Sequence, residues 1–166
     1  MKTYANNIIK SLGIILLLSM GSGGLGTSAS ADSCSAPFPA GCESCSSNIK
    51  DYVGTVTATC KGNRSSTQLC GGELGLDKNN NLTCPGECTN CPTDGTFLNR
   101  CAGCTAKNTG GNNVTVSCYC VNKNGTLILS TYSYNSGECD GMGVTDDGQL
   151  CCQDGMGGCS INEKKL

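Results

Sequence analysis

The stretch that decides the fold reads Phe97-Leu98-Asn99-Arg100-Cys101-Ala102-Gly103-Cys104, then a Gly/Asn-rich gap, then Val114-Thr115-Val116-Ser117-Cys118-Tyr119-Cys120. The second piece alternates apolar and polar residues, which is the period of a half-buried strand. Cys118 and Cys120 are two apart and project to the same side of that strand. If the segment carrying Cys101 and Cys104 runs antiparallel to it, Cys101–Cys120 and Cys104–Cys118 close as nested rungs across a hairpin. A weaker copy precedes it: Phe38-Pro39-Ala40-Gly41-Cys42-Glu43-Ser44-Cys45, then Val56-Thr57-Ala58-Thr59-Cys60. There either Cys45 or Cys42 reaches Cys60, and the other pairs elsewhere, with Cys34 as one candidate.

Working outward, the two halves run in parallel with a period of roughly 60 residues. Repeat one spans 34–84, a linker spans 85–92, and repeat two spans 93–152. In each, the strand's last Cys is followed by a polar turn, Lys61-Gly62-Asn63-Arg64 or Asn122-Lys123-Asn124-Gly125. A Ser/Thr-rich strand comes next, then a second turn at Asp77-Lys78-Asn79-Asn80-Asn81-Leu82 or Thr145-Asp146-Asp147-Gly148-Gln149-Leu150. Asn-Gly and Asp-Gly between strand-like runs are hairpin signals. No segment sustains a helical period, so the chain reads as all-β.

Upstream, Lys2 and Lys10 flank the start, an apolar run follows from Leu12 to Met20, and Ser28-Ala29-Ser30-Ala31 supplies small residues for cleavage. Residues 1–31 therefore read as a signal peptide. The apolar run is too short to anchor in a bilayer, so a secreted, extracellular product is expected. Residues 32–152 form one domain, and 153–166 a Gly-rich C-terminal tail. All sixteen cysteines follow the leader. That density marks a disulfide-rich scaffold, with up to eight bridges in an oxidising compartment. There is no Trp, and large apolar residues are few. A core this thin needs cross-links to limit the entropy of the unfolded chain. Removing Lys2 and Lys10 from eleven basic residues leaves nine against thirteen acidic ones, a net charge of about −4. An acidic product speaks against nucleic acid and anionic membrane as partners. Sequons stand at Asn63, Asn81, Asn113 and Asn124.

Phe-x-x-x-Cys, a gap, an apolar-alternating strand ending in Cys, a polar turn, a Ser/Thr-rich strand, then Asn/Asp-Gly-x-Leu occur in that order twice. This double pattern resembles the cyanovirin-N homology family of lectins. The resemblance covers about Phe38 to Cys152. The chain departs from the family at Lys61, which follows Cys60 where a further Cys-x-Cys would continue, and at Asn80, which replaces a turn glycine. The resemblance implies a cyanovirin-N-like pseudo-symmetric fold of two strand-exchanged repeats, each lobe holding pieces of both. It implies binding of high-mannose oligosaccharides, with no catalysis and no cofactor. Carried over by motif, one pocket takes Ala36, Pro37, Lys61, Gly62, Asn63, Arg64, Thr145, Asp146 and Asp147. The other takes Thr93, Asp94, Gly95, Thr96, Asn122, Lys123, Asn124, Asp77, Lys78 and Asn79. A monomer or a strand-swapped dimer is expected.

The residue stock fits that class. Cys42/Cys45, Cys88/Cys91 and Cys101/Cys104 have the spacing of zinc knuckles, but behind a leader they read as cystines, and no metal is expected. Cys70–Cys84 and Cys139–Cys152 would staple the second turn of each half. The chain has no His, which removes the usual general base and the Ser-His and Cys-His nucleophile systems. Asp146-Asp147 are adjacent in a turn and do not face each other across a cleft as a glycosidase pair must. No enzyme activity is expected. Short polar side chains and backbone groups suit the hydroxyls of a neutral sugar, although Gly, Asn and Asp occupy ordinary turns as well. Tyr132 and Tyr134 share a face and are expected to pack on the core. The alternative is a disulfide-rich structural or effector protein with this fold and no sugar site.

Overall fold

The computed structural model describes residues 34–86, 88–139, 141–153 and 159–160. The expected leader and most of the tail lie outside these residues. Repeat one forms β1 (Cys42–Lys50), β2 (Val53–Cys60) and β3 (Asn63–Gln68), an antiparallel sheet in that order. A small hairpin follows, β4 (Gly75–Leu76) with β5 (Leu82–Thr83). Repeat two opens on a 3-10 turn, Thr96–Asn99, then builds the sheet of β6 (Cys101–Gly110), β7 (Asn113–Val121) and β8 (Leu127–Asn135). Its hairpin is β9 (Gly141–Val144) with β10 (Leu150–Gln153), and β11 (Cys159–Ser160) adds to the outer edge of β10. The described residues contain no α-helix, and none of their elements is a helix long and apolar enough to cross a membrane.

The cysteine spacing is resolved by a bulge. Cys101 and Cys104, three apart, would face opposite sides of a regular strand, whereas Cys118 and Cys120 face the same side. The register of β6 on β7 slips by one residue between Ala102 and Thr105, with Gly103 at φ 61°. One inserted residue in the left-handed region returns Cys104 to the side of Cys101. Both rungs then close, Cys101–Cys120 and Cys104–Cys118, with Cα atoms 4.0 and 4.2 Å apart. Repeat one bulges at the equivalent place, between Glu43 and Ser46, with Ser44 at φ 52°. Cys42 and Cys60 are direct partners in register, so it is Cys42, and not Cys45, that bridges to Cys60. Ala58 stands where repeat two has Cys118, and Cys45 beyond the bulge bridges to Cys34. Cys70–Cys84, Cys88–Cys91, Cys139–Cys152 and Cys151–Cys159 complete eight disulfides.

Each hairpin packs on the sheet of its own repeat, which corrects the strand exchange expected from the family. Leu82 packs with Cys42, Ala58 and Cys60, and its N–H donates to Ser65 Oγ at 2.7 Å. Met142, Val144 and Leu150 pack with Phe97, Val116 and the rung cysteines, and Leu150 N–H donates to Ser130 Oγ at 2.7 Å. In each case a serine hydroxyl, buried at Ser130 and half-buried at Ser65, gives the hairpin's otherwise unpaired N–H a partner. A third, mixed cluster joins the repeats: Val56, Leu69 and Leu74 against Ala102 and Val121. The backbone of Gly71 and Gly72 also bonds along β6, to Cys101, Gly103 and Cys104. Tyr132 is buried in the core and stacks with half-buried Tyr134 at a centroid distance of 6.4 Å.

Candidate functional site

Three loops share one construction. In Asp77–Asn81, Asn122–Thr126 and Thr145–Gln149 the first residue's N–H bonds the fifth residue's carbonyl. The fourth residue's N–H bonds the first's carbonyl. The fourth position is left-handed each time: Asn80 φ 61°, Gly125 φ 79°, Gly148 φ 83°. The first residue's side chain caps the loop from inside. Asp77 Oδ1 accepts from Asn79 and Asn81 N–H, both at 2.8 Å. Asn122 Oδ1 accepts from Asn124 and Thr126 N–H at 3.0 and 2.9 Å. Thr145 Oγ1 accepts from Gln149 N–H at 3.1 Å. Short polar side chains are favoured at such positions because they mimic a backbone turn. The second residues, Lys78, Lys123 and Asp146, stand exposed at the loop tips, each with an exposed third residue beside it.

This sorts the candidate residues. In repeat one, Asn63 Nδ2 donates to Asn79 O and Asn81 Oδ1 at 3.1 and 2.7 Å, and Asn81 Nδ2 donates to Asp77 Oδ2 at 2.9 Å. The carboxylate of Asp77 is held below its ordinary value, first by the Asn81 side chain and then by the Asn81 backbone. The polar atoms there are used on one another. Lys61 and Gly62 form the two-residue turn between β2 and β3, both at positive φ, and Lys61 and Arg64 are exposed. The third segments of the two carried-over pockets are interchanged. Asn63 sits with Asp77, Asn79 and Asn81, not with Thr145–Asp147. Lys123 N–H donates to Asp146 O at 2.8 Å, and Asp94 O accepts from Met142 N–H at 3.0 Å. Thr93–Thr96, Asn122–Asn124 and Thr145–Asp147 therefore gather on repeat two. Gly95 is required there: at φ 131°, a Cβ would collide with the backbone of Met142.

On repeat two, two adjoining depressions of about 300 and 270 Å³ share Tyr52, Arg100 and Asp146. Thr96 and Thr145 line one, Asp51 and Lys123 the other. Arg100 positions the rim. Its side chain is 3% exposed, and Nη1 donates to Val144 O at 2.9 Å. Nη2 donates to Val121 O and Thr145 O at 2.8 and 3.1 Å. One guanidinium thus ties the end of β7 to the end of β9 and fixes the spacing of the Asn122 and Thr145 loops. Burial pushes its pKa down, and nearby Asp146 and Tyr52 push it back up. Its Nε has no partner.

Tyr52 and Asp51 were not among the sequence candidates. They make the two-residue turn between β1 and β2, at φ 64° and 50°. Such a turn requires positive φ at both residues and favours Asn-Gly. A bulky residue there is a steric outlier, a condition that persists where surrounding structure or function retains it. Tyr52 is 75% exposed, so the ring is free for a ligand. The residues before Asp51, Cys42–Lys50, show no apolar alternation, so the sequence carried no clear signal for a turn at Asp51-Tyr52. No family model, no curated protein and no solved structure matches the chain.

Proposed function

We propose that this is a secreted carbohydrate-binding protein that recognises mannose-type oligosaccharides without catalysis or cofactor, and that its architecture is related to that of the cyanovirin-N lectins. The observation that carries the reading is the Tyr52 ring, exposed on a strained turn and sharing a shallow depression with the charged side chains of Asp146, Lys123 and Asp51. A sugar presents an apolar ring face and a rim of hydroxyls. The tyrosine ring offers the first a flat surface and a hydroxyl handle. Asp146 accepts from, and Lys123 donates to, the second. Two carboxylates fall short of the six to eight oxygens that calcium takes, so binding is calcium-independent.

Each sugar hydrogen bond replaces one to water and contributes only about 0.5–1.5 kcal/mol. A single depression therefore binds in the millimolar range. The repeat-one cluster spends its polar groups internally, so one mannose-type site per chain is expected. The test is calorimetric titration of a high-mannose oligosaccharide into aglycosylated protein. Tyr52→Ala and Asp146→Ala each weaken binding by about fivefold to tenfold, and Asn63→Ala leaves it unchanged. No binding at millimolar sugar would leave the effector reading in its place.

A further inference from the structure

A second groove, of about 480 Å³, lies between the N-terminal segment, β1 and the face of β7 and β8. It uses neither Tyr52 nor Asp146. No charged residue lines it, although the chain carries 24 charged side chains. Its floor is Tyr119 on β7 beside Leu129, its register partner on β8. Leu129 is 57% exposed and contributes nothing to the core. The Tyr119 ring is set in place by the repeat-two bulge. A Cβ on Gly103 would lie 3.1 Å from Pro37 Cβ and 3.6 Å from Tyr119 Cδ2. Opposite stand Ser44, turned outward at the repeat-one bulge, and Ser46.

Beyond the groove the same face of β7 and β8 continues as paired hydroxyls. Ser117 and Thr131 share a hydrogen bond at 2.9 Å, and Thr115 and Ser133 one at 2.8 Å. Side chains two apart on a strand share a face and step by about 6.7 Å. The groove therefore opens onto a hydroxyl-lined track that begins at one aromatic ring and is uncharged as far as Ser117 and Thr131, with Lys107 of β6 standing beside Thr115 at its far end. An uncharged site selects an uncharged ligand, because a buried charge without a partner is costly. An aromatic and leucine floor flanked by serines suits a molecule with a flat apolar face and hydroxyl edges. We propose that this groove and track bind one neutral, linear, β-1,4-linked polysaccharide chain, with one sugar ring on Tyr119 and its neighbours along Ser117–Thr131. Flat, extended β-1,4 chains offer such a face at successive rings, which a branched mannose glycan does not. The inference goes beyond the mannose reading and does not depend on it.

The experiment titrates cellohexaose and chitohexaose separately into the full protein, with its disulfides intact, by ligand-observed NMR. At least one binds. Leu129→Glu, an exposed position that leaves the core untouched, weakens it by about tenfold, as does Tyr119→Ala. Tyr119→Phe retains most of the binding, and Asp146→Ala retains all of it. The proposal is overturned if neither hexasaccharide binds in the millimolar range, if Leu129→Glu and Tyr119→Ala bind like the parent, or if Asp146→Ala abolishes binding. Uptake of an apolar dye by the groove without either sugar would overturn it as well.

Discussion

At Tyr52 the proposed sugar contact stands against stability at a single residue. A non-glycine residue held left-handed costs about 1–2 kcal/mol, and Asn tolerates that region better than Tyr. Tyr52→Asn is expected to raise stability by roughly 0.5–1 kcal/mol while weakening sugar binding, measured by guanidinium unfolding and calorimetry on one sample. A loss of stability would mean that the ring packs where it is taken to be free. Asp77 behaves differently, because its carboxylate works inside a loop. Its pKa lies below the ordinary 3.8 in the folded chain. The stabilisation is therefore complete above that value and is lost as the pH falls below it, through the folded pKa. Exchange of the Asn79 and Asn81 amides is expected to accelerate below about pH 4 by more than acid catalysis alone provides. In Asp77→Asn that extra dependence disappears.

At the scale of elements, the hairpins hang on one hydroxyl each. Ser130 is 2% exposed and accepts from Leu150 N–H, whereas Ser65 is half-buried and serves Leu82. Ser130→Ala leaves a buried donor unpaired and is expected to cost about 1–3 kcal/mol. Ser65→Ala is expected to cost less, about 0.5–1 kcal/mol, because water reaches the site. Equilibrium unfolding with disulfides intact reads both, and the reverse order would contradict the packing. The same pair of serines explains what the sequence could not decide. Cys-x-x-Cys facing Cys-x-Cys pointed to two nested rungs if the strands ran antiparallel, whereas the bulge that lets both close was visible only in the structure. The loop sequences specified their turns through a capping Asp, Asn or Thr and a left-handed Gly or Asn three residues on. Which sheet each hairpin would cover was not legible. Both sheets offer a serine in the equivalent place, so local sequence is degenerate between the two pairings. Lys123 and Asp146 entered as candidates only through the family resemblance, since their turns alone read as ordinary solvated loops. Arg100 did not enter, because a buried cation bonded to three carbonyls leaves no pattern along the chain.

Across the whole molecule, eight disulfides and three small clusters hold two repeats that differ where it matters. Repeat one closes its polar loop residues on themselves through Asn63, Asp77 and Asn81. Repeat two places Arg100 beneath its loops and so leaves Lys123 and Asp146 outward, next to Tyr52 of the other repeat. A recognition site assembled at one repeat and absent from its copy is the central claim. The direct measurement is an amide chemical-shift titration of the isotope-labelled protein with a high-mannose oligosaccharide. Shifts gathered at Asp51, Tyr52, Lys123 and Asp146, with Asn63 and Asp77 to Asn81 unmoved, are the expected result. Shifts centred on Asn63 and Asp77, or none anywhere at millimolar sugar, would contradict it.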